Sequence, residues 1–158
     1  MLLDRRKAEE SLCLAEYTRP ELIIPRLQER DLPGILGELV RVLHQHGSVP
    51  DPLPFYHAAL NRECLAGAGS LCGIAFPHAR SPGVRSLEFA FGRAEPAVPW
   101  NNAVRPVRLI FLIAIPGTET SLYLKLLASI ARRGQRQEWI ESLCSAGNPR
   151  EIFARFYG

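Results

Sequence analysis

His78 is the residue best placed to do chemistry in this chain of 158 residues. It follows Gly73-Ile74-Ala75-Phe76-Pro77, whose apolar residues suit a short buried strand. Proline has no N–H to give to a ladder, so Pro77 is expected to stop that strand and leave His78 just beyond its end. Small residues stand beside it, and a neutral imidazole so placed can act as a nucleophile or base near neutral pH. The competing reading is a half-buried histidine that only packs at a strand end. The other histidines, His44, His46 and His57, fall in helical patterns. His44 and His46 are two apart, so on a helix they point in different directions and do not form a metal pair. No metal or cofactor is expected.

The elements that must position His78 can be read from periodicity. Glu21 to Pro25 is a short apolar run closed by proline, a candidate edge strand. Asp31 to His46 carries Leu32, Ile35, Leu36, Leu39, Val40 and Leu43 at helical spacing, with Asp31 as N-cap, Pro33 in the first turn and Gly47 at the far end. Pro50 to Pro54 reads as a turn, and Phe55 to Cys64 as a second helix. Leu65 to Cys72, rich in Gly and Ala, reads as a loop.

Beyond His78, Ser86 to Phe91 alternates like a half-buried strand. Val107 to Ile115 is almost wholly apolar, which predicts a central strand covered on both faces and ended by Pro116-Gly117. Thr120 or Ser121 is expected to cap a helix through Arg133 that buries Leu122, Leu126, Leu127 and Ile130. Two short helices follow, about 136–145 and 149–157, with Asn148 as N-cap and Pro149 at the first position of the last. Helices and strands alternate without a linker or internal repeat. The expected fold is α/β, one domain with a mixed β-sheet flanked by helices over residues 20–158, preceded by an extension over 1–19 that is partly helical or loosely packed.

Composition narrows the function classes. Lys plus Arg number 19 against 16 Asp plus Glu, a net charge of +3 with no clustered basic run, so nothing points to nucleic acid. No run of 18 apolar residues predicts a membrane span, and the N-terminal Arg5, Arg6 and Lys7 lack the apolar stretch of a secretory signal. Cys13, Cys64, Cys72 and Cys144 are widely spread and contain no C-x-x-C pair, which fits reduced thiols in a cytoplasmic protein. Cys72 has no neighbouring Lys or His to lower its pKa and is expected to be a buried or semi-buried, inert thiol.

The string Gly-Ile-Ala-Phe-Pro-His-Ala-Arg at 73–80 resembles the active-site signature of the fructose/mannitol-type (type 2) enzyme IIA of the bacterial phosphoenolpyruvate-dependent phosphotransferase system, a family that includes nitrogen-regulatory IIA proteins. Arg62-Glu63, sixteen residues before His78, matches the family's arginine, and the later strands and helices match in order. The resemblance spans about residues 20–157. It implies a histidine phosphocarrier: His78 accepts a phosphoryl group from an HPr-like phosphocarrier protein, Arg62 stabilises that group, and an enzyme IIB or a regulatory target is a further partner. Arg80 is either a helper or a solvated side chain beside a Ser-Pro-Gly turn.

The chain departs from the family pattern twice. Tyr123 stands where the family has a second histidine, and it can donate a hydrogen bond but not an imidazolium charge. The family's Thr-Gly-apolar-Gly-Asn-Gly loop here reads Ala68-Gly69-Ser70-Leu71-Cys72-Gly73, a loss expected to weaken the phosphoryl-binding shell. Slow transfer of that kind suits a regulatory sensor. The alternatives are a degenerate IIA-like binding module without phosphotransfer, and an unrelated α/β domain with a small-molecule pocket at the strand end.

Overall fold

The longest apolar run in the chain sets the architecture. In the computed structural model, which describes residues 12–66, 70–101, 103, 105–119 and 121–157, this run is β6 (Val107–Pro116), buried along nearly its whole length. The described elements are, in chain order, β1 (Ile23–Ile24), α1 (Leu32–Gln45), α2 (Pro52–Ala66), β2 (Ser70–Leu71), β3 (Ile74–Ala75), β4 (His78–Ser81), β5 (Glu88–Val98), β6, α3 (Leu122–Arg133), α4 (Gln137–Ser145) and α5 (Pro149–Ala154). The sheet runs β1-β5-β6-β3-β2, with β4 also paired to β6. β5 is antiparallel to β6, whereas β3 and β4 are parallel to it, so the sheet is mixed as expected.

Alternate residues of β6 feed two cores. Ile110, Leu112 and Ala114 pack with α1 and α2 on one face, while Leu109, Phe111, Ile113 and Ile115 pack with α3, α4 and α5 on the other. On that second face Phe89, Phe91, Phe111 and Phe156 interlock with ring centroids 5.0 to 6.0 Å apart. Such pairs add about 0.5–1.5 kcal/mol each beyond area burial.

β5 departs from the half-buried strand expected over Ser86–Phe91. It lies between β1 and β6, runs on to Val98, and is covered on both faces from Phe89 to Gly92. Its alternation is of large against small, Phe89 and Phe91 towards one core and Ala90 and Ala94 towards the other. A Cβ on Gly92 would sit 2.7 Å from Leu27 Cδ2, which is why that position is bare.

The helices follow the sequence closely. Asp31 Oδ1 accepts from Gly34 N at 2.8 Å and Asn148 Oδ1 from Glu151 N at 2.9 Å, so both expected N-caps form. α2 starts at Pro52 rather than Phe55, because first-turn N–H groups are unpaired anyway and prolines cost little there. At α3 Ser121 takes the N-cap position. Ser121 makes no capping bond; the Glu119 carboxylate instead accepts from Ser121 N and Leu122 N at 3.1 and 2.7 Å, and Thr120 lies outside the described residues. Leu126 and Ile130 are buried there, whereas Leu122 and Leu127 are only half-buried. The last helix ends at Ala154, short of Tyr157.

Of the two expectations for the N-terminal extension, its described part fits the helical one, with a 3-10 turn over Leu14–Tyr17. Leu14 is fully buried, Thr18 Oγ1 donates to Phe89 O at 2.8 Å, and Arg133 Nη2 donates to Leu12 O at 3.0 Å. Residues 1–11, with Arg5, Arg6 and Lys7, lie outside the described residues.

The segment expected as a loop before His78 is a hairpin. Ser70 pairs with Ala75 and Leu71 with Ile74, leaving Cys72 and Gly73 as a two-residue turn, both at positive φ (54° and 83°). That geometry is a type I′ turn, which favours Asn-Gly. Cys72 is therefore exposed, not buried or semi-buried. A side chain at this tip is bound by turn geometry, which two-residue strands do not announce in sequence. Cys72→Asn is expected to stabilise the fold by about 0.5–1 kcal/mol, since asparagine tolerates the left-handed region better than cysteine. Urea unfolding of the two proteins checks the sign.

Candidate functional site

Pro77 interrupts the strand but does not end the pairing. It lacks a donor, yet its carbonyl accepts from Ile113 N at 2.9 Å, and β4 resumes at His78 in register with Ile113. His78 is thus the first residue of a paired strand rather than a residue beyond one. Ala79 turns into the core shared with α2, so by strand alternation His78 and Arg80 leave the opposite face together. Among the described strands β4 pairs with β6 alone, which lets α2 and the start of α3 both reach its edge.

They close a cleft of about 200 Å³ lined by Ala58, Arg62, His78, Ala79, Arg80, Ile115 and Tyr123. All three residues singled out for the site, His78, Arg62 and Tyr123, line it together. Ala58 and Arg62 are four apart on α2 and so share the helix face that looks into it. A larger groove of about 330 Å³ between α1 and α2 is mostly apolar and contains none of them.

The histidine has one ring nitrogen committed. Its Nδ1 lies 3.2 Å from Phe76 O, an acceptor only, so Nδ1 carries the proton and donates. The lone pair of the neutral ring is then on Nε2. Burial, first, and the positive charge of Arg62 push the His78 pKa below 6.5, against the upward pull of the Phe76 carbonyl. The ring is accordingly neutral at pH 7.

Arg62 stands exposed on the last turns of α2. Its neighbour Glu63 is buried, and desolvation raises its carboxyl pKa despite the Trp100 indole N–H and the Arg62 charge, both of which pull it down. The indole N–H approaches the carboxyl without closing a hydrogen bond of normal length. Asn101 Nδ2 donates to Glu63 O at 2.6 Å and ties the β5–β6 connection to this end of α2.

Arg80 is exposed and at the same time held. Its Nη1 donates to Pro116 O at 3.0 Å, to Gly117 O at 3.4 Å and to Glu119 O, and its guanidinium lies 5.2 Å from the centroid of the Tyr123 ring. The signal that would have found it is strand alternation, had β4 been expected beyond Pro77.

The altered loop contributes less to the site than expected. Gly73 O accepts from Arg108 N, five residues before Ile113 on β6, so Cys72 sits roughly 16 Å from His78 at the strand rise of about 3.3 Å per residue. Losing the family's asparagine there alters a turn rather than the cleft. Ala68 and Gly69 lie outside the described residues.

Comparison with known proteins gives the family of the chain. The family model "Phosphoenolpyruvate-dependent sugar phosphotransferase system, EIIA 2" matches residues 16–157. The fructose-specific EIIABC component of Bacillus subtilis (strain 168) is 29% identical over 134 residues, 84% of this chain but 21% of that protein, so the chain spans about one fifth of that relative. A nitrogen regulatory protein of Bradyrhizobium diazoefficiens is 25% identical over 142 residues, 89% of this chain and 92% of its own. The structure of nitrogen regulatory protein IIA-Ntr from Neisseria meningitidis superposes with a TM-score of 0.79 at 23% identity, over 90% of this chain and 97% of that one. The mannitol IIA of Escherichia coli gives 0.73 at 20%, over 87% and 97%. At those identities the solved structures share the fold, while the match over residues 16–157 carries the assignment: the chain belongs to the type 2 EIIA family of the phosphoenolpyruvate-dependent sugar phosphotransferase system.

Proposed function

We propose that this chain is a cytoplasmic histidine phosphocarrier that accepts a phosphoryl group from an HPr-like protein on Nε2 of His78, in a regulatory role. The observation that carries the reading is the Nδ1–H bond to Phe76 O, which leaves Nε2 as the nucleophile of a neutral ring in an open cleft between two arginines. In the transfer, the Nε2 lone pair attacks phosphorus while the phosphorus–nitrogen bond to the donor's histidine breaks, and the donor ring keeps that electron pair. The Nδ1 proton stays on His78, where the Phe76 carbonyl stabilises the charge that the ring gains. Phosphoryl transfer needs mainly alignment and positive charge around the moving group. Arg62 supplies an exposed fork for the phosphoryl oxygens.

Relatives support the partner and the role. A solved complex pairs E. coli mannitol enzyme IIA, which shares this fold with a TM-score of 0.73, with phosphorylated enzyme IIB. An IIB-like protein is accordingly the natural second partner here. The regulatory role rests on the match to a nitrogen regulatory protein along nearly the full length of both chains. No described helix is long and apolar enough to cross a membrane. The boundary between an extension over 1–19 and the IIA-like domain over 20–158 is part of the same proposal. One feature favours a second reading, a binding module that has lost transfer: Tyr123 in place of the usual second histidine.

Incubation with phosphoenolpyruvate and the general phosphotransferase proteins separates the two. Acid-labile label on wild type, none on His78→Ala, and a rate about 10²–10³-fold lower for Arg62→Ala are expected, on the scale of losing one transition-state donor. No label on wild type, or equal label on His78→Ala, refutes the carrier and leaves the binding module.

The pH dependence has a definite sign. The neutral ring is the nucleophile, so the transfer rate rises with pH and levels off above a pKa lower than 6.5. A rate still climbing above pH 7 contradicts the buried-ring account. The unfolded chain takes up this proton near 6.5 and the fold resists it, so this histidine also makes the fold less stable as pH falls below that value.

A further inference from the structure

We infer that Arg80 is a second phosphate-binding cation of this cleft and that the ring of Tyr123 is the positioning residue that holds it there. The inference rests on the phosphocarrier reading of His78 and extends it to how the phosphoryl group is gripped.

His78 and Arg80 stand two apart on β4 and leave the same face of the sheet, with Ala79 between them turned into the core. Both line the same cleft. The three hydrogen bonds of Arg80, to the carbonyls of Pro116, Gly117 and Glu119, all come from Nη1. One corner of the guanidinium is therefore pinned to the β6–α3 connection. The Nε–Nη2 edge takes no partner among the described residues, and that edge presents two parallel N–H groups to two oxygens of a phosphoryl group. No carboxylate among the described residues lies within ion-pair distance of Arg80; the ion pair found among them is Arg19 with Glu88.

Tyr123 fixes the plane of this fork. Its ring lies 5.2 Å from the guanidinium carbon, inside cation–π range. The two residues depend on each other, since Arg80 bonds the connection that leads into α3, and α3 carries Tyr123 in its first turn. The arrangement gives the cleft a second guanidinium beside that of Arg62. A histidine at 123 would lend charge only when protonated. The work of Tyr123 is thus done by its ring face, whereas donation by its hydroxyl would be a different role with a different response to substitution.

Two readouts test this. Inorganic phosphate is titrated against the protein while the NMR signals of His78 and the Arg80 Nε–H are followed. Labelling is then measured with phosphoramidate, whose phosphorus–nitrogen bond breaks, ammonia leaving with the electron pair, as the bond to His78 Nε2 forms. Arg80→Gln is expected to weaken phosphate about 10-fold or more and to slow labelling about 10²-fold, with Arg80→Lys between it and wild type. Tyr123→Leu is expected to weaken phosphate about 10-fold, and Tyr123→Phe, which keeps the ring, to recover most of that loss. Circular dichroism and Tm of each variant exclude unfolding as the cause. Equal losses in Tyr123→Leu and Tyr123→Phe, or an unchanged phosphate Kd in Arg80→Gln, overturn the inference. Phosphate binding that depends on Arg80 in a wild type that takes no label supports this site while refuting the phosphocarrier reading.

Discussion

The pairing of β4 with β6 across the Pro77 break places everything else in the cleft. A proline inside a strand removes one donor but keeps its acceptor, and here the acceptor suffices: Ile113 N bonds Pro77 O and the register carries on into His78. The same break frees the Phe76 carbonyl to take the proton of His78 Nδ1 instead of a neighbouring strand's N–H. One residue type at one position thus sets both the location of the imidazole and its tautomer. β6 can serve as the rail because it is buried on both faces by two separate cores, which leaves it little freedom to shift.

The cleft brings together one imidazole and two guanidinium groups. Burial, and after it the charge of Arg62, push the His78 pKa below its ordinary value. Arg62 arrives from a helix end and is exposed. Arg80 is pinned at one corner by backbone carbonyls and faced by an aromatic ring. Where the family places a second imidazole this chain has a tyrosine, and the geometry around it reads as an exchange of one kind of cation for another.

Much of this was legible in the sequence, for physical reasons. His78 and Arg62, singled out by a motif and a spacing of sixteen residues, line one cleft with Tyr123. The N-caps Asp31 and Asn148 were legible because they act within three residues of themselves. What was missed depends on distant or very short pairings. β5 hid its second half because Gly92 and Pro96 look like strand breakers, although Gly92 is bare only to admit Leu27. The Cys72-Gly73 turn was hidden by strands of two residues. Whether Arg80 helps or is solvated stayed open because its carbonyl acceptors lie 36 to 39 residues further along the chain. At the α3 N-cap, Ser121, the bonds come from the Glu119 carboxylate two residues earlier rather than from the serine hydroxyl.

The central claim is that Phe76 fixes the tautomer of His78 and so selects the nitrogen that reacts. Long-range ¹H–¹⁵N NMR of the protein before and after treatment with a phosphoryl donor reads this directly. The account predicts Nδ1 protonated in both states and the phosphoryl group on Nε2 of His78. A phosphoryl group on Nδ1, or on a residue other than His78, would contradict it.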